Sequence, residues 1–269
     1  MKHLLAVLVA AVTLQLGTAP LAQAQTSTPT AATYTGPRYP GGPDSLRALV
    51  YRSTRLAASA PAGRLLVKFE LQADGRPHRF SLVTPPAPLN KPLLEAGALA
   101  LPYLEANMAA WQPGAPAPDE PSPKISLVLD FTTPLGAQPY NYCDQSPVFG
   151  TLADRVPERN RPFFERMMAD FTKKNVSSSA RALSTFVQMN VKYPPEALRT
   201  RQEGQVYTYF EVAENGAIER PEVVGSAGRA LDNEVLQALK QLPTATSPAL
   251  LGGRPARMYY VLPATFKVR

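Results

Sequence analysis

One pattern is written in this chain twice, and that duplication constrains the fold more than anything else. The run "GRLLVKFELQADGRPHRFSLV" at 63–83 falls on "GQVYTYFEVAENGAIERPEVV" at 204–224 without a gap. Gly63 meets Gly204, Phe69 meets Phe210, Asp74-Gly75 meets Asn215-Gly216 and Val83 meets Val224. Self-similarity of this kind marks one supersecondary unit used more than once. Each copy alternates. Leu65, Val67, Phe69 and Leu71 form an apolar row against Arg64, Leu66, Lys68 and Glu70. Val206, Thr208, Phe210 and Val212 do the same against Gln205, Tyr207, Tyr209 and Glu211. A period of two predicts a half-buried strand. Asp-Gly and Asn-Gly then supply the positive φ angles of a two-residue hairpin, and a second strand follows. Glu211, Glu214, Glu219 and Glu222 fall on the outer face and tip of the second hairpin, where they are expected to be hydrated.

A helix and a last strand complete each copy. "LNKPLLEAGALALPYLEANMAAW" at 89–111 predicts a helix from Asn90, with Pro92 in its first turn and Pro102 ending or kinking it. "LDNEVLQALKQL" at 231–242 puts Leu231, Val235, Leu239 and Leu242 on one stripe, with Asp232 as a cap candidate. The last strands are "KISLVLDF" at 124–131 and "RMYYVLPATF" at 257–266. Their inward rows are Ile125, Leu127, Leu129, Phe131 and Tyr260, Leu262, Ala264, Phe266. The fold class is α+β, in two units, each a three-stranded antiparallel sheet with helices on one face. Burying a row of four large apolar side chains contributes on the order of 6–12 kcal/mol before entropy, which a unit of this size can just live on. The expected domains are 36–133 and 180–269, joined by a helical connector at 134–179. In the connector, "RPFFERMMADFTKK" at 161–174 carries Phe164, Met167, Met168 and Phe171 as one stripe, suited to a core or to a partner surface.

The first 24 residues are expected to direct export. Lys2 precedes an apolar run from Leu4 to Val12, and "LAQA" at 21–24 offers small residues for cleavage before Gln25. The run is short for a bilayer span, so the segment is a signal peptide, with an uncleaved anchor as the alternative. Residues 25–35 are expected to be a flexible mature N-terminus, with no transmembrane helix after cleavage. The formal net charge is +7, from 28 Lys and Arg against 21 Asp and Glu, and it is interleaved along the chain. No basic run of the kind that tracks phosphates is present, so nucleic acid is not an expected partner. Cys143 is alone, which leaves a buried thiol or an intermolecular bridge. Chemistry is sparse. After cleavage His78 is the single histidine, in a turn-rich "GRPHRF"; no Cys/His cluster suits a metal, and "GSAG" at 225–228 lacks the Lys and spacing of a phosphate loop. Neither catalytic residues nor a metal or cofactor are expected.

The second copy resembles the C-terminal domain of TonB-family proteins. The residues that carry this are "YPPEALRTRQEGQVYTYFEVAENGAIERPEVVGSAG", "LDNEVLQALKQLP" and "GGRPARMYYVLPATFKV". The family run is Tyr-Pro near a short helix, Glu-Gly-x-Val opening a strand, Asp/Asn-Gly in the turn, and a last strand after Gly-Lys/Arg-Pro. The first copy resembles it more loosely, through "YPGGPDSLRALV" at 39–50 and through Trp111, whose place in the second copy is taken by Thr246. The resemblance implies a periplasmic protein linked to TonB-dependent transport, gripping an extended segment of an outer-membrane receptor by adding it to a free strand edge. The chain departs from a full transducer in lacking a long Pro-rich spacer and in carrying a signal peptide where the transducer has an anchor.

Strand addition needs an open border, where main chain gives affinity and alternate side chains give selectivity. Hairpin topology places the last strand of each copy at an edge. The outward side chains expected there are Lys124, Ser126, Val128 and Asp130 in the first copy, and Arg257, Tyr259 and Val261 in the second. Pro263 agrees with an edge but removes one donor. The competing reading is a structural or self-associating envelope protein whose borders pair with each other or with a second copy in a homodimer.

Overall fold

Two antiparallel hairpins, each widened by a later strand, organise the chain. β1 (Arg64–Leu71) pairs with β2 (Pro77–Leu82) and with β3 (Lys124–Asp130), giving the order β2-β1-β3. β4 (Gly204–Val212) pairs with β5 (Ile218–Gly225) and with β8 (Met258–Phe266), giving β5-β4-β8. A small hairpin, β6 (Ala249–Leu251) and β7 (Arg254–Ala256), precedes β8. The computed structural model describes residues 33–57, 61–114, 123–173 and 179–268. The expected signal peptide and residues 25–32 lie outside them. Within them no helix is long and apolar enough to cross a membrane.

Helices cover one face of each sheet, as the mixed α+β architecture requires. α1 (Gly42–Ser53) and α2 (Lys91–Asn107) bury Leu46, Leu49, Leu93, Ala100 and Leu104 against Leu65, Val67, Phe69, Leu127 and Leu129. α4 (Ser179–Asn190) and α6 (Arg229–Leu239) bury Leu183, Phe186, Leu231 and Val235 against Val206, Phe210, Leu262 and Phe266. α3 (Arg161–Lys173) sends Phe164 into the second core, while Phe163 is exposed. α5 (Pro195–Arg199) is the short helix after Tyr193. The inward rows read from alternation lie on these helix-covered faces.

The opposite faces are not left to water. Leu66 and Val128 from one sheet pack on Tyr209, Val224 and Tyr259 from the other, with Val83, Tyr207 and Val261 around them. The layers therefore run helices, sheet, sheet, helices. Each large apolar side chain taken out of water here contributes about 2 kcal/mol, which is why the expected half-buried strands are buried on both faces at their centres.

The hairpin turns differ from the expected two-residue form. Gly75 N–H donates to Gln72 O and Gln72 N–H to Arg76 O; Gly216 and Ala213 repeat this with Ala213 and Ala217. Only the glycine of each turn has positive φ (Gly75 81°, Gly216 83°). This is a type I turn closed by a left-handed residue, and the Asp74 and Asn215 carboxyl or amide oxygens accept from the second N–H downstream. Each turn is pinned from outside, because Trp111 N–H donates to Gly75 O and Ala245 N–H to Gly216 O. The counterpart of Trp111 in this bond is thus Ala245, where the sequence pointed to Thr246. A Cβ on Gly75 would lie 2.0 Å from Trp111 O. Gly75→Ala is therefore expected to destabilise by at least about 2 kcal/mol, combining the left-handed penalty with that clash. Gly253→Ala, at φ 77° with open space around it, should lose only the conformational part. Urea midpoints of the two variants measure the difference.

Two helix expectations need revision. Pro102 neither ends nor breaks α2, which runs on to Asn107, because Pro102 and Ala98 sit on the exposed side where the orphaned carbonyl meets solvent. Asp232 does not cap α6 from its start. It reaches back to the Ala227 N–H and the Ser226 hydroxyl, and burial raises its carboxyl above the usual range.

Candidate functional site

The predicted residues lie on the border strands β3 and β8, but most do not face water. Val128, Asp130 and Tyr259 are 6%, 5% and 8% exposed. Ser126, Arg257 and Val261 are half-buried, and of the seven only Lys124 is exposed. The correction has one cause: in both strands this row faces the opposing sheet. Side chains on it cannot meet a peptide lying alongside while the sheets stay packed.

The main chain of the borders is covered as well, by the chain itself. Residues 138–148, here the strap, run between the sheets. Gln138 Nε2 donates to Asp130 O at 3.2 Å, and Asn141 Nδ2 donates to Ser126 O at 3.0 Å. The Val128 N–H donates to the Tyr259 hydroxyl at 3.3 Å, which also accepts from Asn141 Nδ2 at 2.8 Å. These side chains stand where a fourth strand beside β3 would bond. On β8 the strap uses its own backbone: Tyr140 N–H donates to Arg257 O and Tyr259 N–H to Tyr140 O, both 3.0 Å. Burial pushes the Tyr259 phenol up to about 12, so it remains a neutral hydroxyl shared between the sheets.

The far end of β8 is clamped by a side chain. Thr265 N–H donates to Gln188 Oε1 at 3.0 Å, and Gln188 Nε2 donates to Thr265 O at 3.2 Å, an amide imitating a strand. Between the two clamps the border presents the main chain of Val261 and Pro263, and Pro263 has no N–H. The alternation of an antiparallel ladder directs Val261 N–H outward, since its neighbours in the odd series, Tyr259 and Thr265, bond outward too.

The other borders are defended differently. β2 and β5 each carry an irregularity with a left-handed arginine, Arg79 at φ 56° and Arg220 at φ 51°, and β5 adds Pro221. Bulges, charge and proline on an edge discourage further pairing. β3 and β8 lack such bulges and are covered by the strap.

Anchors on either side hold the strap down. Tyr142 enters the first core, stacked on Tyr34 at 4.8 Å, and its hydroxyl accepts from Tyr39 N–H at 3.0 Å. Cys143, the next residue, enters the second core, and burial pushes its thiol up to about 12. Gln145 exchanges two 3.1 Å main-chain bonds with Leu250 of β6, and Val148 bonds Ser247 and Thr246. Tyr34, expected in a flexible N-terminus, donates its N–H to Asp144 O at 2.9 Å.

A charge cluster ties the sheets together beside the strap. Glu211, expected in water, is wholly buried. Its carboxylate accepts from Tyr209 Oη at 2.6 Å, Arg220 Nη1 at 3.1 Å and Arg257 Nη1 at 3.0 Å. Arg64 crosses from β1 to Glu222 at 2.6 Å and lies 4.6 Å over the Tyr209 ring, while its Nε bonds Asp130 at 2.9 Å. Burial pushes the Asp130 carboxyl up, but the Thr133 and Thr132 amides, with Arg64, outweigh it and hold it below the usual range. Arg257, a predicted border residue, is spent in this cluster on Glu219, Glu211 and Glu214, and hydrogen bonding to Glu219 leads in raising its pKa.

His78 is half-buried, with Glu70 at 3.9 Å. Among the described residues no three His, Cys, Asp or Glu side chains gather in a way that could hold a metal. Residues that sequence reasoning missed are Gln138, Tyr140, Asn141 and Gln188. Side-chain amides in a loop or on a helix carry no pattern, so only the extended, aromatic-alternating "PYNY" at 139–142 hinted at a strand-like segment.

Residues 189–268 match the model of the family described as the Gram-negative bacterial TonB protein C-terminal. The match spans α5 and β4 through β8, and so includes the border strand with its strap contacts. No curated protein matches the chain.

Proposed function

We propose that this chain is a periplasmic, TonB-like binding protein linked to TonB-dependent transport, which takes extended segments of outer-membrane receptors by strand addition at the border of β8. The observation that carries the reading is the family match over 189–268, in a sheet whose order leaves β8 at an edge. The first sheet repeats the order and the turn geometry of the second, with Gly63, Gly75 and Arg79 answering Gly204, Gly216 and Arg220 in positive φ. On this reading 36–133 is a divergent second copy of the unit, used to support the working one at 180–269. Export by the first 24 residues would deliver the chain to the compartment where receptor segments are met.

Main-chain pairing requires Val261 N–H. A labelled synthetic peptide of a receptor's extended N-terminal segment is expected to bind the chain saturably at micromolar concentration. Val261→Pro should abolish this, since it removes an outward donor without touching a bond to β4. Absence of binding by the unaltered chain in that range would contradict the reading. Self-pairing through the same border, the competing reading, would need the same displacement of Tyr140, and a monomer at all working concentrations argues against it.

A further inference from the structure

We infer that the strap is an internal competitor for the β8 border, so that an extended peptide is admitted in full only when Tyr140 leaves it. This regulation rests on the strand-addition reading above.

The geometry is that of a stand-in ligand. Tyr140 makes with Arg257 and Tyr259 the two main-chain bonds that an added parallel strand would make, and it makes them for a single residue only. A bridge this short holds far less firmly than a ladder, because each bond contributes modestly once water is counted. Tyr140 also packs, half-buried, against the second core, while its polar contacts are at the rim: its hydroxyl bonds the exposed Asp44 at 2.9 Å, and Arg47 lies 4.2 Å over its ring. Tyr142 and Cys143, two and three residues on, are core anchors. Release therefore need not unravel the whole strap. Lifting residues 138–141 about the fixed Tyr142, with Gly136 in open space behind them, would free Arg257 O and Tyr259 N–H. It would also free Asn141, which spans both borders through Ser126 O and the Tyr259 hydroxyl. With the strap down, an incoming peptide finds only Val261 and Pro263 between Tyr140 and Gln188.

The arrangement also explains why this border, unlike β2 and β5, carries no bulge of its own: a removable cover protects a flat edge that a built-in defect would spoil. A cover made from the same chain is present at constant effective concentration, so it lowers the apparent affinity of any peptide by the fraction of time it is open.

The test uses the full chain, a Tyr140→Pro variant and the labelled receptor peptide, read by fluorescence anisotropy and by amide hydrogen exchange. Tyr140→Pro removes the N–H that donates to Arg257 O. Its Tyr259 amide should exchange faster, and it should bind the peptide at least tenfold more tightly than the unaltered chain. Asn141→Ala, which leaves the strap backbone intact, should act in the same direction by a smaller factor and serves if the proline variant does not fold. Equal affinities with the Tyr259 amide opened would overturn the competitor while leaving strand addition standing. Binding by none of the three chains, with that amide open, would overturn both. A Tyr259 amide that stays protected in both variants would show that Tyr140 is not the cover, and would sink the inference.

Discussion

Glu211→Ala is expected to destabilise the chain by about 3 kcal/mol, read as a lowered urea midpoint at unchanged slope. Glu211 is wholly buried and receives Tyr209, Arg220 and Arg257 at once. Removing one member of a buried ionic group costs about 3–5 kcal/mol, mostly because its partners are left desolvated and unpaired. The low end applies because the Arg220 and Arg257 side chains are themselves 48% and 24% exposed, and can recover some water. Glu211→Gln should lose less, since it still offers an oxygen to Tyr209. Glu222→Ala is the contrast: its side chain is 40% exposed, and its partner Arg64, 13% exposed, keeps Asp130, so the loss should be about 1 kcal/mol, the upper end for a surface pair. If both alanine variants lost the same amount, the burial of Glu211 would not be what sets the cost of emptying the cluster.

Tyr142→Ala should be as damaging, by about 3–5 kcal/mol. Its ring is stacked on Tyr34 and 6.5 Å from Trp111, inside the aromatic group that fills the open end of the first core. Loss of the ring leaves a cavity where the strap is anchored. Tyr142→Phe keeps the packing and removes only the acceptor for Tyr39 N–H, a buried donor whose loss of partner costs about 1–3 kcal/mol. The two variants separate packing from hydrogen bonding. Because Tyr142 is the fixed point about which residues 138–141 would lift, the alanine variant should also raise the reactivity of Cys143 toward iodoacetamide. In the unaltered chain that thiol is buried with its pKa pushed up to about 12, and labelling should be slow. An alanine variant as stable as the parent would remove the strap's anchor from the account.

Much of the fold was legible because it is set by local rules. Alternation at Leu65–Leu71 and Val206–Val212 fixed which row enters the helical face, and Asn90 with Pro92 fixed the start of α2. The turn glycines were legible too, although the closing turn is three residues long, since Asp74 and Asn215 use their side chains to bond the backbone ahead and remain at negative φ. What alternation could not decide was the fate of the other row. Leu66, Tyr209 and Tyr259 are apolar or aromatic residues in a nominally outward series, and that is the mark of a second buried face. Reading the row as solvated placed Glu211 in water and turned Val128 and Tyr259 toward an imagined ligand. The candidate site was legible only to the level of the strand. Its covering is made by Tyr140 through bare main chain and by Asn141, Gln138 and Gln188 through amides, and neither has a sequence signature.

The account stands on the β8 border being the surface where a receptor segment pairs, in exchange for the strap. Residue-resolved amide exchange on the full chain, with and without a saturating receptor peptide, tests this most directly. The predicted result is that Val261 N–H gains protection, Tyr140 N–H loses it, and Tyr259 N–H stays protected because one partner has replaced another. Unchanged protection at Val261 and Tyr140 in a chain shown to hold the peptide would place the binding surface elsewhere and contradict the account.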